Sequence, residues 1–295
     1  MGNNSAKPKK RVGIVLLGNP AVGKSTLGNC LAGKILFKSG QSYGDGLTVK
    51  FMEGKTRDGT AIYDTPGLQE NNNEKAADAA KEITRGMKAG GSFKIIFVVR
   101  CDEGRTVKSD ALTMQLILEA CPEIGNTFAV IVNKVHPRNF EDIRDDNKIN
   151  ENCTKFLNNL FSAFPGKQPP HNRILFIRTH DELYKTKGPI VKDLNTLKTY
   201  CPNHDIRYPG ANDHNVGLEK FVKDLPHVDI TRFNDIKIEI LEEMTKLFLN
   251  HEEKQKQINE LQLQKLKKNN ELIRNLKREV KSIKAQIKFK MSGSQ

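Results

Sequence analysis

The stretch Gly18–Thr26, Gly-Asn-Pro-Ala-Val-Gly-Lys-Ser-Thr, fills every fixed position of G-x-x-x-x-G-K-[ST]. An apolar, β-prone run from Val12 to Leu17 precedes it, and Leu27, Leu31, Ile35 and Leu36 follow at helical spacing. The pattern therefore predicts strand, loop and helix in register. The chemistry explains the spacing. A polyphosphate needs many donors around a compact anionic group. Glycines at 18 and 23 let the backbone wrap it with inward-pointing N–H groups. The helix that follows adds its positive end. Contacts are expected from Gly18, Asn19, Ala21, Val22, Gly23, Lys24, Ser25 and Thr26. Lys24 is placed to set an ammonium between the β- and γ-phosphates, and the Ser25 hydroxyl to ligate Mg²⁺.

The next segments fit a nucleotide switch. Lys38–Gly46 is polar and rich in Gly and Ser, and reads as a loop. Thr48 closes it ahead of a strand at Val49–Met52. A threonine in this place meets Mg²⁺ and the γ-phosphate; the alternative is an ordinary strand threonine. A short strand at Thr60–Tyr63 runs into Asp64-Thr65-Pro66-Gly67. Asp64 is a candidate for holding Mg²⁺, and the Gly67 N–H for sensing the γ-phosphate. Leu68 stands where many small GTPases carry a water-positioning Gln, with Gln69 one place on.

Asn73–Gly90 has helical spacing, Lys94–Val99 reads as a buried strand, and Arg105 and Thr106 open the following helix. The apolar strand Thr127–Val132 ends in Asn133-Lys134-Val135-His136. Asn-Lys-x-Asp would read guanine here, and Asn133 and Lys134 still favour guanine over adenine. His136 replaces the Asp and, as a neutral imidazole, offers one acceptor. Ile149–Phe164 is an amphipathic helix. A sixth strand at Arg173–Ile177 leads to His180, which either meets the base or is a loop histidine. Val216–Leu225 suggests a last short helix. Alternating strands and helices with a phosphate loop at the first turn specify an open, mainly parallel α/β sheet with helices on both faces, six-stranded, binding nucleotide at the strand C-termini.

The 295 residues suit one domain with an appendage. No apolar run is long enough to cross a bilayer, no signal-peptide pattern appears, and five scattered cysteines form no C-x-x-C pair, so a reducing, cytosolic setting is expected. The formal charge is +13. From Ile230 onward Gly and Pro vanish until the last residues, and residues 252–290 carry twelve Lys or Arg against five Glu. Leu266, Asn269, Ile273, Leu276, Val280, Ile283 and Ile287 step by three or four, as in a coiled-coil seam. This basic helix suits an acidic membrane surface or a partner helix, or packs back on the domain. Phe289 is the only aromatic after Phe248, so no stacking platform for nucleic acid is expected. Residues 1–11 form a basic tail with Gly2 after the initiator Met. That tail is either N-myristoylated or simply solvated. The expected division is 1–11 tail, 12–228 nucleotide domain, 229–290 helical extension and 291–295 disordered end.

On these residues the chain resembles the AIG-type (immunity-associated, avirulence-induced) GTPases, grouped with chloroplast-import receptor GTPases and septins. The likeness covers Val12 to Leu225. It rests on Gly18–Thr26, Thr48, Asp64-Thr65-Pro66-Gly67 and the box Gly104-Arg105-Thr106 followed by Asp110. It implies a P-loop GTPase fold with a C-terminal helical extension, GTP or GDP with Mg²⁺, and slow hydrolysis. It also implies a nucleotide-dependent homodimer and membrane association through the C-terminal part. By the same resemblance, Arg105 is a candidate arginine finger supplied in trans, catalytic beside Lys24 and Thr48.

Overall fold

In the computed structural model, the described residues are 11–39, 47–68, 73–102, 104–144, 149–162, 166–178, 206–207, 217–236 and short helical stretches between 260 and 281. The apolar run Val12–Leu17 forms β1, followed by α1 (Lys24–Ala32), β2 (Met52–Lys55), β3 (Ala61–Asp64), α2 (Asn73–Lys88), β4 (Gly91–Asp102), β5 (Arg105–Thr106) and α3 (Lys108–Ala120). After these come β6 (Ala129–Val135), α4 (Pro137–Arg144), α5 (Ile149–Phe161), β7 (Ile174–Arg178), β8 (Ile206–Arg207), α6 (Leu218–Asp224) and β9 (Val228–Ile230).

The sheet order is β2-β3-β1-β4-β6-β7-β8. The inner five, β3, β1, β4, β6 and β7, run parallel, and β2 and β8 are antiparallel at the edges. Five of these strands fall where expected, β2 forms at Met52–Lys55 rather than at Val49–Met52, and β5, β8 and β9 are short additions. In β4 exposure alternates over its first four residues. From Ile95 to Val99 every residue is buried. That change marks where both faces of the sheet are covered, so the strand reads as continuous apolar sequence. Aromatic packing locks the far side of the core: Phe97 meets Phe128 edge-on with ring centroids 5.3 Å apart, an arrangement worth about 1 kcal/mol beyond area burial. In α2, Ala76, Ala80, Ile83 and Met87 are buried on one stripe while Lys81, Arg85 and Lys88 stay in water.

Three local readings change. Arg105–Thr106 does not open a helix: it turns back as β5 against Cys101 and Asp102, and α3 starts at Lys108. Helix α4 was not anticipated, because its eight residues are too few for periodicity to stand out. The domain also continues past 228. Val228–Ile230 pairs antiparallel with Gly91–Phe93, because β6 joins β4 only from Ile96 and leaves that flank open. Glu123 then accepts from the backbone N–H groups of Thr231 and Arg232, and Asn234 N donates to Ala120 O at 2.8 Å. The first compact unit accordingly runs to residue 241, and the second spans 242–295.

In the second unit the described residues are helical, and Leu261, Ile273, Leu276 and Val280 are about half exposed. Leu266, Ile283 and Ile287 of the expected seam lie outside the described residues. Among the described residues no helix is long and apolar enough to cross a membrane.

Candidate nucleotide site

The loop after β1 is built on two unusual backbone positions. Gly23 caps α1 at φ 101°, and a Cβ there would sit 2.4 Å from Asn133 Nδ2, so only glycine fits. Ala21 adopts φ 59°. Lys24 is buried and folds over its own loop, donating to Gly18 O at 2.9 Å and Asn19 O at 2.8 Å. The ammonium is thus held at the centre of the loop by two carbonyls.

At the α1 entrance, Ser25, Thr48 and Asp64 converge as expected, although they come from three separate segments. Ser25 Oγ donates to Asp64 Oδ2 at 2.7 Å, Thr48 Oγ1 to the same oxygen at 3.0 Å, and the two hydroxyls are 3.1 Å apart. Asp64 Oδ1 is buried with no hydrogen-bond partner among the described residues. Burial pushes the Asp64 carboxyl above the ordinary aspartate value, against the charge of Lys24 and the bonds from Ser25 and Thr48. A buried carboxylate oxygen without a protein donor calls for a water or an ion. One carboxylate and two hydroxyls are too few ligands for a protein-only metal cage. They suit Mg²⁺, which keeps waters and shares phosphate oxygens. The residues therefore fit the metal, and Ser25, Thr48 and Asp64 would hold it.

The expected γ-phosphate sensor also lies at the loop. Gly67 is packed on Pro20, and Thr65 Oγ1 ties the segment to β1 by donating to Leu16 O at 2.7 Å. Leu68 is fully buried. Position 68 therefore offers no polar side chain to orient a water, and Gln69 lies outside the described residues.

Asn133 and Lys134 reach back from the end of β6. Asn133 Nδ2 donates to Val22 O at 2.8 Å, and Lys134 Nζ to Ala21 O at 2.6 Å. The pair expected to hold the base thus also clamps the phosphate loop. His136 plays a different part from the one expected. Its Nδ1 accepts from Arg138 N at 3.3 Å and its carbonyl from Phe140 N at 2.9 Å, so it caps α4. That ring nitrogen is engaged at the start of α4. Arg105 is exposed on β5. His180 lies outside the described residues.

The sequence reading missed a buried network on the other side of the loop. Asn19 Nδ2 donates to Asp110 Oδ1 at 2.7 Å, Thr113 Oγ1 donates to Asn19 Oδ1 at 2.6 Å, and Arg100 N donates to Asp110 Oδ2 at 2.8 Å. All three side-chain partners are buried. In the sequence Asp110 stands out only as part of the box after Arg105. Nothing local in the sequence reveals that it touches residue 19.

Among solved structures, Toc33 from Arabidopsis thaliana in complex with GDP and Mg²⁺ is 15% identical, over 75% of this chain and 88% of that chain, with a TM-score of 0.43. An Aquifex aeolicus Era variant bound to GDP and AlF₄⁻ is 20% identical, over 64% and 57%, with a TM-score of 0.38. The NFeoB domain from S. thermophilus bound to GDP, AlF₄⁻ and K⁺ is 18% identical, over 64% and 60%, with a TM-score of 0.33. No curated protein matches the sequence. Residues 13–134 match the family model described as 50S ribosome-binding GTPase, the stretch that holds the phosphate loop, Asp64, Gly67, Asn133 and Lys134, and the sheet order and loop geometry above are those of the α/β P-loop GTPase fold.

Proposed function

We propose that this protein is a Mg²⁺-dependent GTP-binding switch of the AIG type that hydrolyses GTP slowly. In this reading it works as a nucleotide-regulated homodimer at the cytosolic face of a membrane. The observation that carries the nucleotide reading is the convergence of Ser25, Thr48 and the half-satisfied Asp64 at the same loop that Asn133 and Lys134 clamp. Mg²⁺ would supply charge neutralisation between the β- and γ-phosphates. The chain's own part is to hold the phosphates with the loop amides and Lys24 and to hold the base with Asn133 and Lys134. Gly67 registers the third phosphate by its closeness to the loop.

Slow turnover is supported by the burial of Leu68, which leaves the attacking water without a side chain in the usual place. Completion by Arg105 from a second subunit is supported by its exposure on β5, close in sequence to α3 and the loop network. Membrane attachment is supported by the twelve basic residues of 252–290 and by the basic tail after Gly2. The same burial of Leu68 favours a second reading, a scaffold that binds GTP and does not turn it over.

Competition of GTP and ATP for a fluorescent guanine nucleotide tests the base assignment; equal displacement by both removes it. Sizing with a non-hydrolysable GTP analogue, for wild type and Arg105→Ala, tests the dimer. Single-turnover hydrolysis at rising protein concentration separates switch from scaffold. The rate per molecule climbs if dimers complete the site, and no phosphate release at any concentration leaves the scaffold.

A further inference from the structure

Asp110 is a carboxylate with 1% of its surface exposed at the start of α3, and among the described residues its direct bonds are to Asn19 Nδ2 and Arg100 N. Its two oxygens are each used once. Oδ2 fixes the end of β4 through Arg100 N, and Oδ1 takes the Asn19 amide. Thr113, one turn further along α3, donates to the other end of the same amide. The Asn19 side chain is therefore held at both ends by one helix. The Asn19 backbone carbonyl, in turn, accepts from Lys24 Nζ at 2.8 Å. Four linked groups run from α3 to the ammonium of the phosphate loop, and every side chain in the series is buried. A charge-assisted bond in a dry site is shorter and stiffer than an exposed one.

We propose that Asp110 is a positioning residue for nucleotide binding: through Asn19 it fixes the loop carbonyl that aims Lys24, and so sets the affinity for the β- and γ-phosphates. This rests on reading Gly18–Thr26 as the triphosphate cradle. It adds to that reading a control point on α3, immediately after the β5 segment that carries Arg105. The device is geometric, since what Asn19 needs is an acceptor facing Nδ2 and a donor facing Oδ1.

The test exploits that symmetry. Asp110→Asn sets an amide against an amide. Asn19→Asp sets two carboxylates face to face. The double variant restores all three hydrogen bonds with donor and acceptor exchanged between positions 19 and 110. Affinities of the full chain for fluorescent GTP, GDP and GMP analogues with Mg²⁺ are compared, with melting temperature as the check on folding. Asp110→Asn is expected to weaken GTP binding by roughly tenfold to a hundredfold, with the loss greatest for GTP and smallest for GMP. The double variant is expected to bind GTP more tightly than Asn19→Asp alone. Even if Asp110→Asn fails to fold, that second comparison still decides.

The proposal is overturned if folded Asp110→Asn binds GTP within twofold of wild type. It is equally overturned if all three nucleotides weaken alike, which marks a general structural role, or if the double variant gains nothing over Asn19→Asp. Lys24→Ala separates the two levels. If it keeps wild-type GTP affinity, the cradle reading itself is lost. If it loses GTP while Asp110→Asn does not, only the positioning role is lost.

Discussion

Ala21 and Lys134 are the two non-glycine residues with positive φ among the described residues, 59° and 60°, and they are bonded to each other, Lys134 Nζ to Ala21 O at 2.6 Å. Left-handed backbone at a residue with a Cβ costs about 1 kcal/mol. The cost falls on both halves of one contact, where the phosphate loop meets the end of β6. Ala21→Gly removes it on one side. Urea unfolding should show a gain of up to about 1 kcal/mol without nucleotide, with GTP affinity kept within a few-fold.

Gly67 is as tightly placed. A Cβ on it would lie 2.2 Å from Pro20 Cδ and 2.3 Å from Pro20 N, both part of a rigid ring. Gly67→Ala must push the 64–68 segment off the loop. A fall in affinity for the GTP analogue, larger than for GDP, is expected, with a loss of stability of about 1–3 kcal/mol from overpacking. Isothermal titration with both nucleotides reads it, and equal losses for both would argue against a sensor role.

Asp64 Oδ1 is buried with no hydrogen-bond partner among the described residues. Asp64→Asn keeps the shape and removes the charge. The expected result is that adding Mg²⁺ no longer tightens GTP binding, while the metal-free protein is at least as stable as wild type, because a buried charge has been removed. Nucleotide titrations with Mg²⁺ and with EDTA measure the difference.

His136 spends its acceptor on the cap of α4. His136→Asp keeps a good cap, since Asp is favoured there, and returns a second carboxylate oxygen to face the base. Preference for GTP over ATP is expected to rise by about tenfold or more, the worth of a hydrogen bond to a charged acceptor. A competition assay with both nucleotides checks it.

Burial pushes the Asp110 carboxyl above 3.8, opposed by the N–H and charge of Arg100, the Asn19 amide and the charge of Lys24. Between the unfolded value of 3.8 and the raised folded value, the native chain binds more protons than the unfolded one. This contribution is therefore fully present below the unfolded value and is lost as pH rises through the folded one. Asp110→Asn removes that slope. Urea unfolding of both chains from pH 4 to 7 should give a difference in stability that shifts in favour of the variant as pH rises.

The placement of the phosphate loop, Asp64, Gly67 and Asn133-Lys134 was legible because each is a short pattern set by backbone geometry at the end of a strand. Their convergence follows from parallel strands that begin at one edge and end at the other. The Asn19–Asp110 pair was not legible, because 91 residues separate its members and each alone is an unremarkable polar residue. Arg105–Thr106 read as a helix start since Thr and Asp follow helix-opening patterns, but the two residues find ladder partners in Cys101 and Asp102 instead. The edge of the domain was misplaced because β9 is three residues long and earns its place only from the open flank of β4.

One helix touches both ends of this arrangement. Asp110, near the start of α3, grips the phosphate loop, while Ala120 at its last turn takes the Asn234 N–H and Glu123 just beyond takes Thr231 and Arg232. A helix of this length is a stiff strut of about 20 Å. The phosphate loop and the segment that follows β9 are therefore tied to opposite ends of one rigid element, and a substitution that shifts the helix along its axis disturbs both.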